Sequence, residues 1–276
     1  MKPAQHLLIY DNDCPFCCWY TNLFIHNGLL ANNERIPYSE AVQDPELHFN
    51  HDKARNKIAF VATRNGEITY GIDSLLTIIG RKFPAIKHIG KFLPVHFLLG
   101  LLYNFLSYNR KVIAAVDCQQ NCGCSPEKSY VWRFSFIAGC YWLFDTAISL
   151  QVTTYNKLLI SHLNIFICFV TLYILQVVFF KLLGNKHLYD YLGHLSFVLI
   201  IGSFLLIFNH FTLQFLSNYS IEVTELRPFL TGCALTVTFF LHRKRLRLLH
   251  ASPILQFTLI FLMISPAPFL FNLLIV

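Results

Sequence analysis

Asp11, Cys14 and Cys17 stand in the segment Tyr10-Asp11-Asn12-Asp13-Cys14-Pro15-Phe16-Cys17, and their types and spacing suit thiol–disulfide exchange. Two thiols three residues apart lie one helical turn from each other. A thiol at a helix start is drawn toward its thiolate by the positive end of the helix dipole. The pattern gives the attack on a disulfide to Cys14, expected to be the more exposed sulfur, and gives resolution of the mixed disulfide to Cys17. Pro15 suits the first helical position, which has no use for its N–H. Asp11 has two readings: it accepts a proton during exchange, or it caps the turn. As a charge beside the thiols it would also raise their pKa. Asp13 reads as a turn residue and the adjacent Cys18 as core packing.

The same pair is also half of a metal site in principle. Cys118, Cys122 and Cys124 are the available further ligands, but the spacing Cys-x3-Cys-x-Cys matches no common zinc pattern, so no metal is expected. A cytosolic Cys-x-x-Cys beside a strand–helix pattern favours redox chemistry.

The elements that must position these residues follow from periodicity and turn chemistry. His6–Tyr10 reads as a buried strand. Phe16, Tyr20, Leu23, Phe24 and Asn27 fall at helical spacing, with Asn27-Gly28 as the stop. Arg35–Tyr38 is a second short strand, and Lys57–Thr63 with Glu67–Gly71 forms a hairpin on Asn65-Gly66. Asp73 or Ser74 caps a helix from Leu75 to Arg81. The order β-α-β-β-β-α predicts a compact α+β, thioredoxin-like domain over residues 1–125. Phe92 to Val116 adds amphipathic helices that pack on this domain or lie at a membrane surface.

The remainder, 126–276, reads as a polytopic α-helical transmembrane domain. Of the 276 residues 55% are hydrophobic and only 13% charged, and most of the charges precede Arg133. Apolar stretches at about 131–150, 158–180, 192–216, 228–242 and 254–276 predict five spans, most of them near the ~20 residues a crossing needs. The last carries Pro266 and Pro268. Lys181 and Lys186 fall between the second and third stretches, and Arg243–Arg247 between the fourth and fifth. Only Lys157 lies between the first and second, and Arg227 beside Glu222 and Glu225 between the third and fourth. This alternation places the N-terminal domain in the cytoplasm and the C-terminus outside. No signal peptide is read at the N-terminus. The net charge of +7 does not form a basic face with interleaved aromatics, which excludes nucleic acid as a partner. In a reducing cytoplasm the nine cysteines are not a disulfide framework.

The residues from Tyr10 to Cys17 resemble the DCC family of predicted thiol–disulfide oxidoreductases, named for its Asp-x-x-Cys-x-x-Cys motif. Tyr70-Gly71-Ile72-Asp73-Ser74 is similar to the family's Gly-x-Asp-Ser/Ala step. Tyr103 through Asn109-Arg110, with Cys118 beyond, is similar to its closing Tyr…Asn-Arg…Cys stretch. The resemblance covers about residues 5–124 and implies a thioredoxin-like fold, in some members followed by membrane segments. Cys14-Pro15-Phe16-Cys17 also resembles the glutaredoxin Cys-Pro-Tyr-Cys sequence. That implies glutathione as a candidate reductant, its carboxylate held by backbone N–H groups at Asp73 and Ser74. Asn56-Lys57 stand before Ile58, where thioredoxins and glutaredoxins carry a cis-proline, so their style of peptide binding is not expected.

The expected function is a membrane-anchored thiol–disulfide oxidoreductase using Cys14 and Cys17, with protein or small-molecule thiols and disulfides as partners and no required cofactor. The alternative is a non-catalytic metal- or partner-binding cysteine module on a membrane protein whose main function lies in the spans. Within the apolar part, Asp145 is an intramembrane carboxylate with His162 at a similar depth to pair with it. His187, Asp190, Tyr191 and His194 share one helical face, which suits a metal, haem or quinone headgroup, or ordinary juxtamembrane polarity. Cys140, Cys168 and Cys233 are each isolated in an apolar run.

Overall fold

The structure is a computed structural model that describes residues 6–63, 66–115, 126–156, 162–219, 223–224 and 226–264. Arg64 and Asn65, Cys118, Cys122 and Cys124, Lys157, Glu222 and Glu225, and Pro266 and Pro268 lie outside the described residues. The chain divides into two compact units, residues 1–133 and 134–276.

The N-terminal unit is built on four short strands: β1 (His6–Tyr10), β2 (Arg35–Pro37), β3 (Ala59–Ala62) and β4 (Ile68–Tyr70). Their order is β2-β1-β3-β4. β1 runs parallel to β2 with Ile9 opposite Ile36, and antiparallel to β3 with Leu8 opposite Phe60. β3 and β4 form the hairpin, with Gly66 at φ +66 just before β4. Period-2 alternation splits the core. Leu8, Phe60 and Ile58 pack with Phe24, Leu29, Leu30 and Ile78 on one face, while Ile9, Ala59 and Val61 pack with Tyr38, Ala41 and Ala54 on the other.

The first face is covered by α1 (Pro15–His26), α4 (Ile72–Gly80) and α6 (Leu93–Ala114), with the short α5 (Pro84–Lys91) between the last two. The second is covered by α2 (Tyr38–Ala41) and α3 (His51–Asn56). α1 ends because Gly28 takes φ +68, which lets Leu29 N–H reach back to Phe24 O. Gly71, at φ +64, opens α4 where a side chain would press on the Tyr103 ring at 3.2 Å. Its N–H donates to Ile58 O at 2.8 Å and fixes α4 against the sheet.

The second unit contains α7 (Tyr130–Asn156), α8 (His162–Leu182), α9 (Leu188–Asn218), α10 (Leu226–Leu248) and α11 (Ile254–Ile264). Cys140, Phe169, Tyr173, Phe180, Tyr191, Leu195, Leu199, Leu246 and Leu255 form its buried core.

This architecture corrects the expected fold class. The chain is predominantly helical, its sheet is small with strands of three to five residues, and among the described residues five apolar spans are not present. Among the described residues two helices are long and apolar enough to cross a membrane, α8 and α9. The pair α5 and α6, bent by 93° between its parts, makes a third if it is one broken span. The stretches at 131–150 and 228–242 are helical, but neither reaches the apolarity of α8 and α9. α7 carries Arg133 and Asp145 with several hydroxyl side chains, and α10 ends in His242-Arg243-Lys244-Arg245. The described part of the 254–276 stretch is an 11-residue helix, short of the ~20 residues that a crossing takes.

Candidate active site

The site starts at the end of β1, where the chain turns and α1 begins. Asp11 Oδ1 accepts the Asp13 N–H at 3.1 Å, closing the turn. Cys14 is the N-cap of α1 in extended conformation, Pro15 takes the first helical position, and Cys18 N–H donates to Cys14 O at 3.0 Å. The start of α1 is thus set by local sequence, and it brings the Cys14 and Cys17 sulfurs onto one turn.

Neither sulfur is exposed. Cys14 is 1% and Cys17 3% accessible, which corrects the expectation that Cys14 is the more exposed of the two. Both are free thiols. Cys18 is half-buried, its thiol directed at Asn12 O at 3.4 Å, in keeping with a packing role.

A residue to which sequence analysis assigns no chemical role supplies the charge. Arg110, from α6, donates from Nη2 to Asp11 Oδ2 at 3.2 Å, and the two side chains are 6% and 5% exposed. The same guanidinium donates to Arg55 O at 3.0 Å and to Ser107 Oγ at 3.4 Å. The Ser107 hydroxyl donates to Asn56 O. Asn109, beside it, donates to Phe105 O and to Trp132 O. The Asn109-Arg110 pair was the available signal for this residue, but its partner Asp11 is 99 positions away.

These contacts explain the titration of the thiols. Cys17 hydrogen-bonds the Cys14 sulfur, and this contact, with help from the Cys17 N–H and Arg110, lowers Cys14 to about 7 against burial and Asp11. The same bond, then burial, pushes Cys17 well up. Near pH 7 Cys14 is about half thiolate, while Cys17 keeps its proton and acts as the donor. Burial raises Asp11 above its ordinary value, with Arg110 opposing. Burial and the nearby Cys17 sulfur raise Tyr20 well above the phenol range. Burial raises Tyr103 to about 12, although the Ile58 N–H donated to its hydroxyl at 2.9 Å acts the other way.

Cys17 also lines a cavity of about 220 Å³ between α1, α4, α6 and the start of β3, with Phe16, Tyr20, Leu75, Tyr103 and Arg110 among its walls. Ile58 has its N–H taken by Tyr103 and its carbonyl by Gly71 N–H and Ser74 Oγ, leaving neither for a bound peptide strand.

Neither Asp73 nor Ser74 caps α4 as expected: the N-cap is Gly71, the helix starts at Ile72 rather than Leu75, and both residues lie in its first turn with side chains that do not meet the cysteines. Ser74 is fully buried, its hydroxyl 3.3 Å from Thr69 Oγ1 and donating to Ile58 O. The Asp73 carboxylate is 3.0 Å from His96 Nε2 and lines a separate polar groove of about 800 Å³ with Lys53, Lys87 and Lys91.

Asp11, Cys14 and Cys17 place one potential metal-ligating atom each within 4.8 Å of the others. A divalent ion would compete with Arg110 for Asp11, whose two oxygens are already engaged.

In the second unit the expected contact between Asp145 and His162 is present, at 2.9 Å between Oδ2 and Nδ1. Of the polar face expected on α9, Tyr191 and His194 are buried and Asp190 half-buried, but His187 is the exposed N-cap in left-handed conformation and stands outside the helical face. Tyr191 donates to Gln176 at 2.6 Å, and His194 Nδ1 lies 3.0 Å from Arg245 Nη1. Cys140 is buried near the Tyr173 hydroxyl, and Cys168 and Cys233 are free.

No protein family, curated protein or solved structure matches this chain. The Asp11-Cys14-Cys17 triad is compatible with an Asp-x-x-Cys-x-x-Cys motif.

Proposed function

We propose that this chain is a membrane-anchored thiol–disulfide oxidoreductase of the DCC type, working through Cys14 and Cys17. The observation that carries the reading is the unequal pair of thiols. Cys17 donates to Cys14, which is lowered to about 7, beside a buried Arg110–Asp11 ion pair. A thiol with a pKa near the working pH combines thiolate content with nucleophilicity.

In the reaction the Cys14 thiolate attacks one sulfur of a disulfide substrate and expels the other as a thiol. Cys17 loses its proton and attacks Cys14 in the mixed disulfide. The second substrate thiol leaves, and a Cys14–Cys17 disulfide remains, two electrons having passed to the substrate. A thiol reductant such as glutathione restores the dithiol. With the Ser74 hydroxyl engaged within the fold, the start of α4 offers such a reductant backbone N–H groups. Asp11 acts in this scheme mainly by fixing the turn and Arg110 by holding negative charge near Cys14.

The spans serve as anchor. Lys181 and Lys186, flanking the turn between α8 and α9, belong on the cytoplasmic side by the positive-inside rule.

The second reading, a metal-binding module, is favoured by the three converging ligands alone. Trapping separates the two. Full-length Cys17→Ser incubated with 2-hydroxyethyl disulfide should accumulate a mixed disulfide on Cys14, seen as an added mercaptoethanol mass. No adduct, with stoichiometric zinc bound to the wild type, would establish the metal reading instead.

A further inference from the structure

Single exposed apolar residues are ordinary, but a continuous face of them is not, and the elbow of α5 and α6 carries one. Ile89, Phe92, Phe97 and Leu98 are between 62% and 65% exposed, and Leu93 is 81% exposed. Leu101 and Leu102 continue the face one turn further along α6. The opposite side of α6 is turned into the domain: Tyr103 accepts the Ile58 N–H, Ser107 donates to Asn56 O and Arg110 pairs with Asp11. α5 is fixed by Gly90, which packs so closely on Leu76 that a side chain there would collide with it. Both helices therefore hold their apolar sides outward, the reverse of helices that cover a soluble core.

Charge identifies the partner. From Ser74 to Val116 the chain has no Asp or Glu, while Arg81, Lys82, Lys87 and Lys91 fall on α5 or just before it. Lys87 and Lys91 form no ion pair among the described residues. An apolar strip edged by such lysines suits the boundary of a bilayer, with acyl chains below and anionic headgroups at the rim. A second copy of the chain suits it poorly, because in a two-fold dimer the patch meets itself and sets lysine against lysine. Depth follows from length. The exposed strip from Leu93 to Leu102 rises roughly 15 Å, half of the ~30 Å that a crossing needs. Beyond it Ser107 and Arg110 are buried in the domain, so α6 does not continue into lipid.

We propose that the α5–α6 elbow is a membrane-surface site. It lies in the plane of the interface with its apolar face about 5–10 Å into the headgroup–acyl boundary, and Lys87 and Lys91 meet anionic headgroups. This inference rests on α8 and α9 lying in a membrane, as the anchored reading has them, and not on the dithiol chemistry. A bilayer is then always within reach of the elbow. α6 also carries Arg110, so the docked face and the thiol site share one helix.

The test uses full-length protein with Phe97→p-benzoylphenylalanine, reconstituted in nanodiscs of equal phosphatidylcholine and phosphatidylglycerol. The protein is irradiated and its adducts are read by mass. Lipid adducts are expected, with phosphatidylglycerol favoured about fivefold, the effect of one lysine at an anionic surface. Lys87→Gln with Lys91→Gln should bring that ratio close to one and leave the adducts themselves. Phe208→p-benzoylphenylalanine, exposed on α9, should also take lipid, and Val42→p-benzoylphenylalanine, exposed after α2, should take none. Should the Phe97 variant misfold, Phe92→p-benzoylphenylalanine decides. Lipid on the Phe208 variant, with only links to residues 134–276 or to a second chain on the Phe97 variant, would overturn the inference and leave the anchor intact. A lipid ratio that the lysine substitutions do not move would overturn the headgroup contacts. Lipid on neither variant would overturn this inference and the anchored reading together.

Discussion

Replacing Cys17 by Ala tests what makes Cys14 reactive. The largest cause of the lowered Cys14 value is the hydrogen bond from the Cys17 thiol, ahead of burial, which opposes it, and of the Cys17 N–H and Arg110, which assist. Alanine keeps the N–H, Arg110 and the burial and removes only the donor. Cys14 should then rise from about 7 toward the ordinary free-thiol value of about 8.5, a change worth about 2 kcal/mol. At pH 7 the thiolate fraction falls from roughly half to about 3%. The sign is simple: the thiolate is lost as pH falls through the midpoint, and the variant loses it at higher pH than the wild type. Thiolate absorbance near 240 nm, taken as the difference from Cys14→Ser, reads the midpoint without any reagent having to reach a buried sulfur. A Cys17→Ala midpoint still near 7 would refute the reasoning and transfer the effect to Arg110 and the helix start.

Arg110→Met leaves the Asp11 carboxylate buried without its partner. It should destabilise the N-terminal unit by about 3–5 kcal/mol, with Asp11→Asn in the same chain recovering most of the loss, as read by hydrogen exchange of β1 and α1. Because Asp11 is raised in the fold, its contribution to stability is fullest below its ordinary pKa of 3.8 and is lost as pH rises through the raised value. The stability difference between wild type and Asp11→Asn should therefore move in favour of the variant from about pH 4 to pH 7, in denaturant melts at each pH. The exposed Lys186→Cys, next to the turn between α8 and α9, should react with an impermeant maleimide only after cells are opened.

Local chemistry was legible in the sequence, and long-range chemistry was not. The β3–β4 pairing, the Gly28 stop and the placement of Cys14 at the start of α1 depend on neighbours a few residues away, and all three stand where turn chemistry puts them. The Asp145–His162 contact was legible because helical spacing sets depth within adjacent helices. Arg110 was visible only as part of a motif, since nothing near it in the chain reveals that α6 packs across α1 onto Asp11. The burial of Cys14 was missed for the same reason: a turn before a proline is commonly exposed until another element covers it. The span count failed because apolar length was read without weighing the polar and basic residues of α7 and α10.

A redox titration of the full-length protein tests the central claim most directly. The protein is equilibrated in thiol/disulfide buffers of graded potential and its thiols are counted by alkylation mass. The account gives one two-electron couple at Cys14 and Cys17, abolished by Cys14→Ser and present without bound metal. A dithiol that never closes reversibly, accompanied by one zinc per chain, would contradict it.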